Sequence, residues 1–317
     1  MSWLELSLNL NGELAEAVTE VLSRYVLGGI AIEIAADDGD DLPAANDVLV
    51  RAYIPIDGQE GEQKRRIEEG LWHLSQIQPL PEHEFRILDE ADWQTSWQKH
   101  FQPIPISKNL LITPPWITIE ESDRKIIVLE PGMAFGTGLH PTTRMCLKAI
   151  EDFLQHGDNV LDIGCGTGIL SIASVLLGAN HVLAVDTDVI AVQATRENAA
   201  RNRVAKYIRV EPGSLEKVKT LQADAQKPDL IVTNILSHVL MDLIQSGLAT
   251  YVKPEGRIIL SGILAEQVEP LVNLAADADL ELIEARSEKD WRALIFKREL
   301  PRLSPGQIET KGYNGGA

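Results

Sequence analysis

The stretch Val160-Leu161-Asp162-Ile163-Gly164-Cys165-Gly166-Thr167-Gly168 constrains this chain more than any other, an apolar strand-like run that breaks into glycines at alternate positions. Behind it Ile169, Leu170, Ile172, Ala173, Leu176 and Leu177 recur at helical spacing, and Gly178 supplies a C-terminal stop. Strand, glycine turn and helix N-terminus, in that order, make the nucleotide-binding corner of a doubly wound sheet, where free backbone N–H groups point at a ligand. Glycine also lets a ligand approach the backbone closely. The dinucleotide fingerprint is G-x-G-x-x-G, whereas here the glycines stand at 164, 166 and 168, a departure from a pyrophosphate-binding turn. The next strand, His181 to Val185, leads to Asp186, 22 residues beyond Gly164, where a carboxylate can accept hydrogen bonds from both ribose hydroxyls. An adenosine ligand fits this pattern. The blander reading is a turn that only folds, with Asp186 capping the next helix.

At 317 residues the chain exceeds one typical domain, so two are expected and a sizeable core is available. It carries 47 acidic against 29 basic residues, a net charge of −18, with no dense basic cluster. Nucleic acid is therefore not expected as a direct partner. The acidic surface suits a basic protein partner or serves solubility alone. Cys146 and Cys165 show neither metal-ligand spacing nor a disulfide framework. The chain begins without a basic leader, and no apolar run approaches the roughly 20 residues of a membrane helix, so a cytoplasmic protein with no membrane partner is expected.

From the start, Leu4, Leu6, Leu8 and Leu10 alternate with polar residues, and Leu14, Ala17, Val18, Val21, Leu22 and Tyr25 then repeat with helical period. Strands at Ile30 to Ile34 and Val48 to Ile56 follow, then a helix from Glu60 to Ile77 and a strand at Phe85 and Ile87. This β-α-β-β-α-β order is the ferredoxin-like pattern, a recognition scaffold that does not itself name what is recognised. Residues 89–105 read as a short helix, with Trp93, Trp97 and Phe101 at four-residue spacing, and then an extended link containing Pro103 and Pro105. Those aromatics are expected to pack between domains, or else to face a partner. Apolar runs at Leu110 to Ile112 and Ile126 to Leu129 read as strands around Pro114-Pro115. The glycine-dense loop 130–143 carries Met133 and Phe135, apolar residues that a solvated linker gains nothing by exposing, and is expected to form a lid. Helices are expected at Pro141 to Leu154 and 188–202, strands at Tyr207 to Val210 and Asp229 to Leu236, and a polar segment between them. A terminal hairpin, Leu280 to Ala285 with Trp291 to Phe296, precedes a disordered tail at 299–317.

Ligands of an open α/β sheet sit beyond the carboxyl ends of its strands, which directs Gly164, Asp186 and Asn234 to one crevice. An amide oxygen at Asn234 with an adjacent carbonyl can hold the N–H groups of an amine nucleophile and face the charge that develops on nitrogen. The alternative is an asparagine bonding its own turn. The sequence there, Asn234-Ile235-Leu236, departs from the Asn-Pro-Pro-Tyr pattern used on planar amides and bases. From about 160 to 300 the chain resembles the class I S-adenosylmethionine-dependent methyltransferases. The loop at 130–143, the GCGTG turn, Asp186 and Asn-Ile-Leu together resemble the PrmA family, the ribosomal protein L-eleven methyltransferases, over about 85–298.

That resemblance implies a Rossmann-like, doubly wound seven-stranded methyltransferase sheet at 106–298, preceded by a ferredoxin-like substrate-recognition domain at 1–88 and a link at 89–105. It implies S-adenosyl-L-methionine as cofactor, contacted by Thr143, Gly164, Gly166, Asp186, Asn234 and Phe135, with Asn234 also catalytic and no metal. The implied reaction methylates lysine side-chain and α-amino nitrogens of ribosomal protein L-eleven, and a monomer is expected. Action on another protein or on RNA stays open, the latter requiring a basic face. A nicotinamide oxidoreductase is the alternative of a different class, opposed by the glycine spacing.

Overall fold

The computed structural model describes residues 2–10, 12–23, 25–26, 30–34, 48–88, 103–129, 140–221 and 227–299. The expected linker helix with Trp93, Trp97 and Phe101, the glycine-dense loop through residue 139 and the tail from 300 onward lie outside the described residues.

Strand β1 (Trp3–Leu10), helix α1 (Gly12–Ser23), strands β2 (Ile30–Ile34) and β3 (Val48–Pro55), helix α2 (Glu60–Ser75) and strand β4 (Glu84–Leu88) build the amino-terminal region. Its sheet is antiparallel throughout, in the order β2-β3-β1-β4. The leucine alternation of β1 turns Leu4, Leu6, Leu8 and Leu10 to one face, where Leu14, Val18 and Leu22 of α1 and Ile67 and Leu71 of α2 cover them. Gly70 sets how closely the helices approach, because a Cβ there would stand 2.7 Å from Val21 Cγ1. On the other face Tyr53 and Leu88 are buried with Trp3, Trp116 and Ile117, so this sheet packs against the region that follows.

That region starts with β5 (Ile104–Pro105), β6 (Leu110–Thr113) and β7 (Lys125–Val128). The expected extended link at 103–105 thus contains a short strand antiparallel to β6, while β6 and β7 run parallel. Ile104 packs against both the amino-terminal core and the larger one behind it. Asn202 clips β7 in place: its Oδ1 accepts the Val128 N–H at 2.7 Å and its Nδ2 donates to the Val128 carbonyl at 2.7 Å.

The remainder alternates helix and strand: α3 (Pro141–Phe153), β8 (Asn159–Ile163), α4 (Ile169–Leu176), β9 (His181–Asp186), α5 (Val189–Arg201), β10 (Ile208–Pro212), α6 (Leu215–Leu221), β11 (Leu230–Asn234), α7 (Ser237–Gln245), β12 (Arg257–Leu264), α8 (Val268–Asp277), β13 (Leu280–Glu288) and β14 (Trp291–Arg298). The strands form one seven-stranded sheet, β10-β9-β8-β11-β12-β14-β13. Its first five strands are parallel, and β14 lies antiparallel between β12 and β13. Parallel strands buried on both faces need apolar residues in unbroken runs. Accordingly Val160, Val232 and Ile259 face α3, α4 and α5, while Leu161, Ile231 and Ile258 face α6, α7 and α8. Helix α6 corrects the expected polar segment: Leu215 and Val218, set among charged residues, are enough to seat a seven-residue helix.

From β8 the chain winds outward through β9 and β10, then returns to the other side of β8 for β11 and β12. The crevice at this switch of direction opens beyond the carboxyl ends of β8, β9 and β11.

Candidate active site at the strand ends

The glycine turn after β8 is left-handed at each of its three glycines, with φ of +76° at Gly164, +55° at Gly166 and +80° at Gly168. Two of them are also closed in by neighbours. A Cβ at Gly164 would stand 2.4 Å from Ile235 Cγ2, and one at Gly168 would stand 2.7 Å from Thr195 Cγ2. The turn is tied to β9 by the Gly164 and Cys165 N–H groups, which donate to the Val185 carbonyl at 2.9 and 3.2 Å. From α5 the Thr195 hydroxyl donates to the Gly166 carbonyl at 2.9 Å and Asn198 Nδ2 to that of Thr167 at 3.0 Å. Sequence reading passed over both residues. Their signal was spacing, two polar residues three apart on the face of α5 that also carries Val192 and Ala199.

Asp186 closes the same turn, its Oδ2 accepting the Gly166 N–H at 2.9 Å and its Oδ1 the Asp188 N–H at 2.9 Å. The helix cap is Asp188, which accepts the Ile190 N–H at 2.8 Å. Asp186 therefore does not cap α5, and its carboxylate stands at the turn. Just past it Val189 and Ile190 are exposed, and Leu236 is exposed after β11, giving the crevice an apolar rim. Behind the turn Asp162 is fully buried; its Oδ2 accepts the Ser171 hydroxyl at 2.6 Å, and Oδ1 has no partner among the described residues. Burial, reinforced by Asp186, pushes its pKa up to about 7. Burial likewise pushes the Cys146 thiol up to about 12 and raises that of Cys165, so neither is a nucleophile at neutral pH.

Opposite the turn, Asn234 ends β11 and donates from Nδ2 to Thr143 Oγ1 at 3.2 Å, across to α3 rather than within its own turn. Three features hold the first turn of α3. Pro141 occupies a first-turn position suited to its fixed φ. His140 is the N-cap, its Nδ1 accepting the Thr142 N–H at 3.3 Å and standing 2.7 Å from Thr142 Oγ1. Burial first, then Arg144 and Lys289, lowers the His140 pKa to about 4, so the ring is neutral and can accept. Its edge meets the Trp291 ring at 4.9 Å between centroids.

Strand β12 fastens the other side. Its bulge between Ser261 and Ile263 is centred on Gly262, with φ of +86°. A Cβ there would fall 2.2 Å from the Ile235 carbonyl oxygen, so only glycine lets the two backbones meet. The Ile235 N–H donates to the Ser261 carbonyl at 3.2 Å, and the Ser261 hydroxyl reaches the Thr142 carbonyl at 3.4 Å. Gly164, Gly166, Asp186 and Asn234 thus meet at the strand ends, with Thr143 buried behind Asn234, whereas Phe135 lies outside the described residues. Among the described residues no cluster of three or more His, Cys, Asp or Glu is disposed to hold a metal ion.

The family model for ribosomal protein L11 methyltransferase (PrmA) matches residues 2–299. This chain belongs to that family. A relative named ribosomal protein L11 methyltransferase from Chloroflexus aurantiacus is 38% identical over 323 residues, covering 94% of this chain and 98% of the relative. Another of that name, from Herpetosiphon aurantiacus, is 35% identical and covers 94% and 99%. The crystal structure of ribosomal protein L11 methylase from Lactobacillus delbrueckii subsp. bulgaricus matches with a TM-score of 0.56 at 34% identity, covering 63% of this chain and all of that one. The family match takes in the amino-terminal sheet as well as the crevice.

Proposed function

We propose that this chain uses S-adenosylmethionine to methylate ribosomal protein L11 on lysine side-chain and α-amino nitrogens. The observation that carries the reading is the meeting of a glycine turn, a carboxylate and an amide at the ends of neighbouring strands β8, β9 and β11, in a chain of this family. The residues present fit an adenosyl ligand. Of the roughly four acceptor positions on a carboxylate, Asp186 uses two on backbone N–H groups, which leaves others for ribose hydroxyls. Val189 and Ile190 offer an exposed apolar surface for a planar base. Gly164, Gly166 and Asp186 would hold the group, with Thr143, Asn234 and Phe135 as weaker contacts that add little to its affinity. When bound it supplies a methyl group on a cationic sulfur, which departs as a neutral thioether. The Asn234 amide oxygen holds the N–H of the incoming amine, aligns its lone pair and faces the positive charge that grows on nitrogen. Methyl transfer from labelled S-adenosylmethionine to purified L11, mapped to lysine and the amino terminus, is the expected result. Label found only in RNA, or in no protein, would contradict it.

The amino-terminal region is, on this reading, a ferredoxin-like module at 1–88 that grips the protein substrate, with 89–105 as link, 106–298 as catalytic domain and 299–317 as tail. Its antiparallel order with two covering helices supports the assignment. A chain beginning near Ala91 keeps every described crevice residue and should bind the cofactor, yet fail on intact L11, which needs an interface of order 1,200 Å². Cofactor affinity retained together with full activity on L11 would refute the module assignment. We place the enzyme in the cytoplasm as a monomer. Among the described residues no helix is long and apolar enough to cross a membrane.

A further inference from the structure

We propose that Thr143 is a positioning residue for Asn234, fixing the plane of the amide that meets the substrate amine. The inference rests on the amine-aligning reading of Asn234 and adds to it the group that makes the alignment possible. A carboxamide carries a donor end and an acceptor end of nearly the same shape. An amine that must keep its lone pair on the methyl carbon can offer only its N–H bonds to the protein. The amide has to meet it oxygen first, since a reversed amide would set N–H against N–H.

In this crevice the amide is held from behind. Asn234 Nδ2 donates to Thr143 Oγ1 at 3.2 Å, and no hydrogen bond among the described residues occupies Oδ1. Asn234 is half-buried at the end of its strand, so its oxygen can be reached from the crevice. Thr143 is a rigid anchor. It is 1% exposed, β-branched, and set in the first turn of a helix that His140, Pro141 and the Ser261 hydroxyl hold in place. The strand end is equally fixed, by the Ile235 N–H on the Ser261 carbonyl and the close approach of Gly262. The one soft degree of freedom left is the Asn234 side-chain torsion, and the Thr143 hydroxyl is what removes it.

The test is a double-mutant cycle on the full chain, with Thr143→Val, Asn234→Ala and the pair, reading turnover on L11 at saturating S-adenosylmethionine and cofactor affinity by calorimetry. Thr143→Val is expected to lower kcat 10- to 100-fold with cofactor affinity kept within threefold. Thr143→Ser should restore kcat to within threefold of the parent, because it keeps the hydroxyl. In the Asn234→Ala background, Thr143→Val should cost less than twofold more. Thr143→Ala run beside Thr143→Val keeps the cycle readable if one of them fails to fold. An equal loss from Thr143→Val with and without Asn234 would overturn the proposal, as would parental kcat, or a loss confined to cofactor affinity. Full turnover in Asn234→Ala alone would instead overturn the amine-aligning reading beneath it.

Discussion

On the β8 and β9 side of the crevice the glycine turn presents backbone, tied down on every side: N–H groups on the Val185 carbonyl, carbonyls capped from α5 by Thr195 and Asn198, and the Asp186 carboxylate on the Gly166 N–H. On the β11 and α3 side the proposed working group is a side chain, Asn234, which makes one bond to Thr143. A surface made of backbone is complete before any ligand arrives and suits the partner present in every turnover. An amide held in one plane suits the task of directing an incoming amine. The proposed function would give affinity to one half and alignment to the other, with Ile235 as the shared wall, its side chain against Gly164 and its carbonyl against Gly262.

That shared wall is where the comparison breaks most severely. Gly262→Ala combines a positive φ with a Cβ 2.2 Å from a backbone oxygen, which neither strand can relieve by a side-chain rotation. We expect it to destabilise the fold by about 2–4 kcal/mol and to impair both halves together. Denaturant unfolding and both functional assays check it, and selective damage to one half would show that the wall is not shared. Asp186→Ala should act on the affinity half alone, weakening S-adenosylmethionine binding by about 1.5–3 kcal/mol, the scale for a hydrogen bond to a charged acceptor. Unchanged affinity by calorimetry would remove Asp186 from the site.

A smaller effect probes what lies behind the turn. Asp162 has its pKa raised from an ordinary value near 3.8 to about 7, so between those values the folded chain holds a proton that the unfolded chain has lost. Stability therefore falls as pH rises through that window, and the full cost of the buried charge is present above about pH 7. Asp162→Asn removes that dependence, and its gain in Tm over the parent should be larger at pH 8 than at pH 5. His140 works in the opposite sense. With its pKa lowered from 6.5 to about 4, the unfolded chain takes up the proton first, and stability falls as pH drops from about 6.5 towards 4. That acid limb should survive in Asp162→Asn. Equal gains at the two pH values would mean that Asp162 is not the group titrating near neutrality.

The parts of the fold legible in the sequence are those whose signal is local. Val160 to Gly178 announced a strand, a turn and a helix, because each kind of residue sits next to the one it constrains. Helix α3 was legible from Pro141 at its start, and β9 from the apolar run ending at Asp186. What escaped joins distant residues. Asn202 pairs with Val128 across 74 positions, and Gly262 matters only because Ile235 returns beside it. Thr195 and Asn198 read as ordinary polar positions until the turn they cap is folded against them. The strands at 110–113 and 125–128 were legible but their parallel pairing was not, since direction depends on the path taken between them. The Asn234 side chain was placed at a strand end by its position, while its bond to Thr143, 91 residues away, had no local mark.

The division between affinity and alignment is tested most directly by Asn234→Ala, with cofactor affinity and methyl transfer to L11 measured on one preparation. The account predicts S-adenosylmethionine affinity within threefold of the parent and turnover lowered by about 100-fold, roughly 2.7 kcal/mol in the barrier. Turnover kept within threefold, or affinity and turnover falling by the same factor, would contradict it.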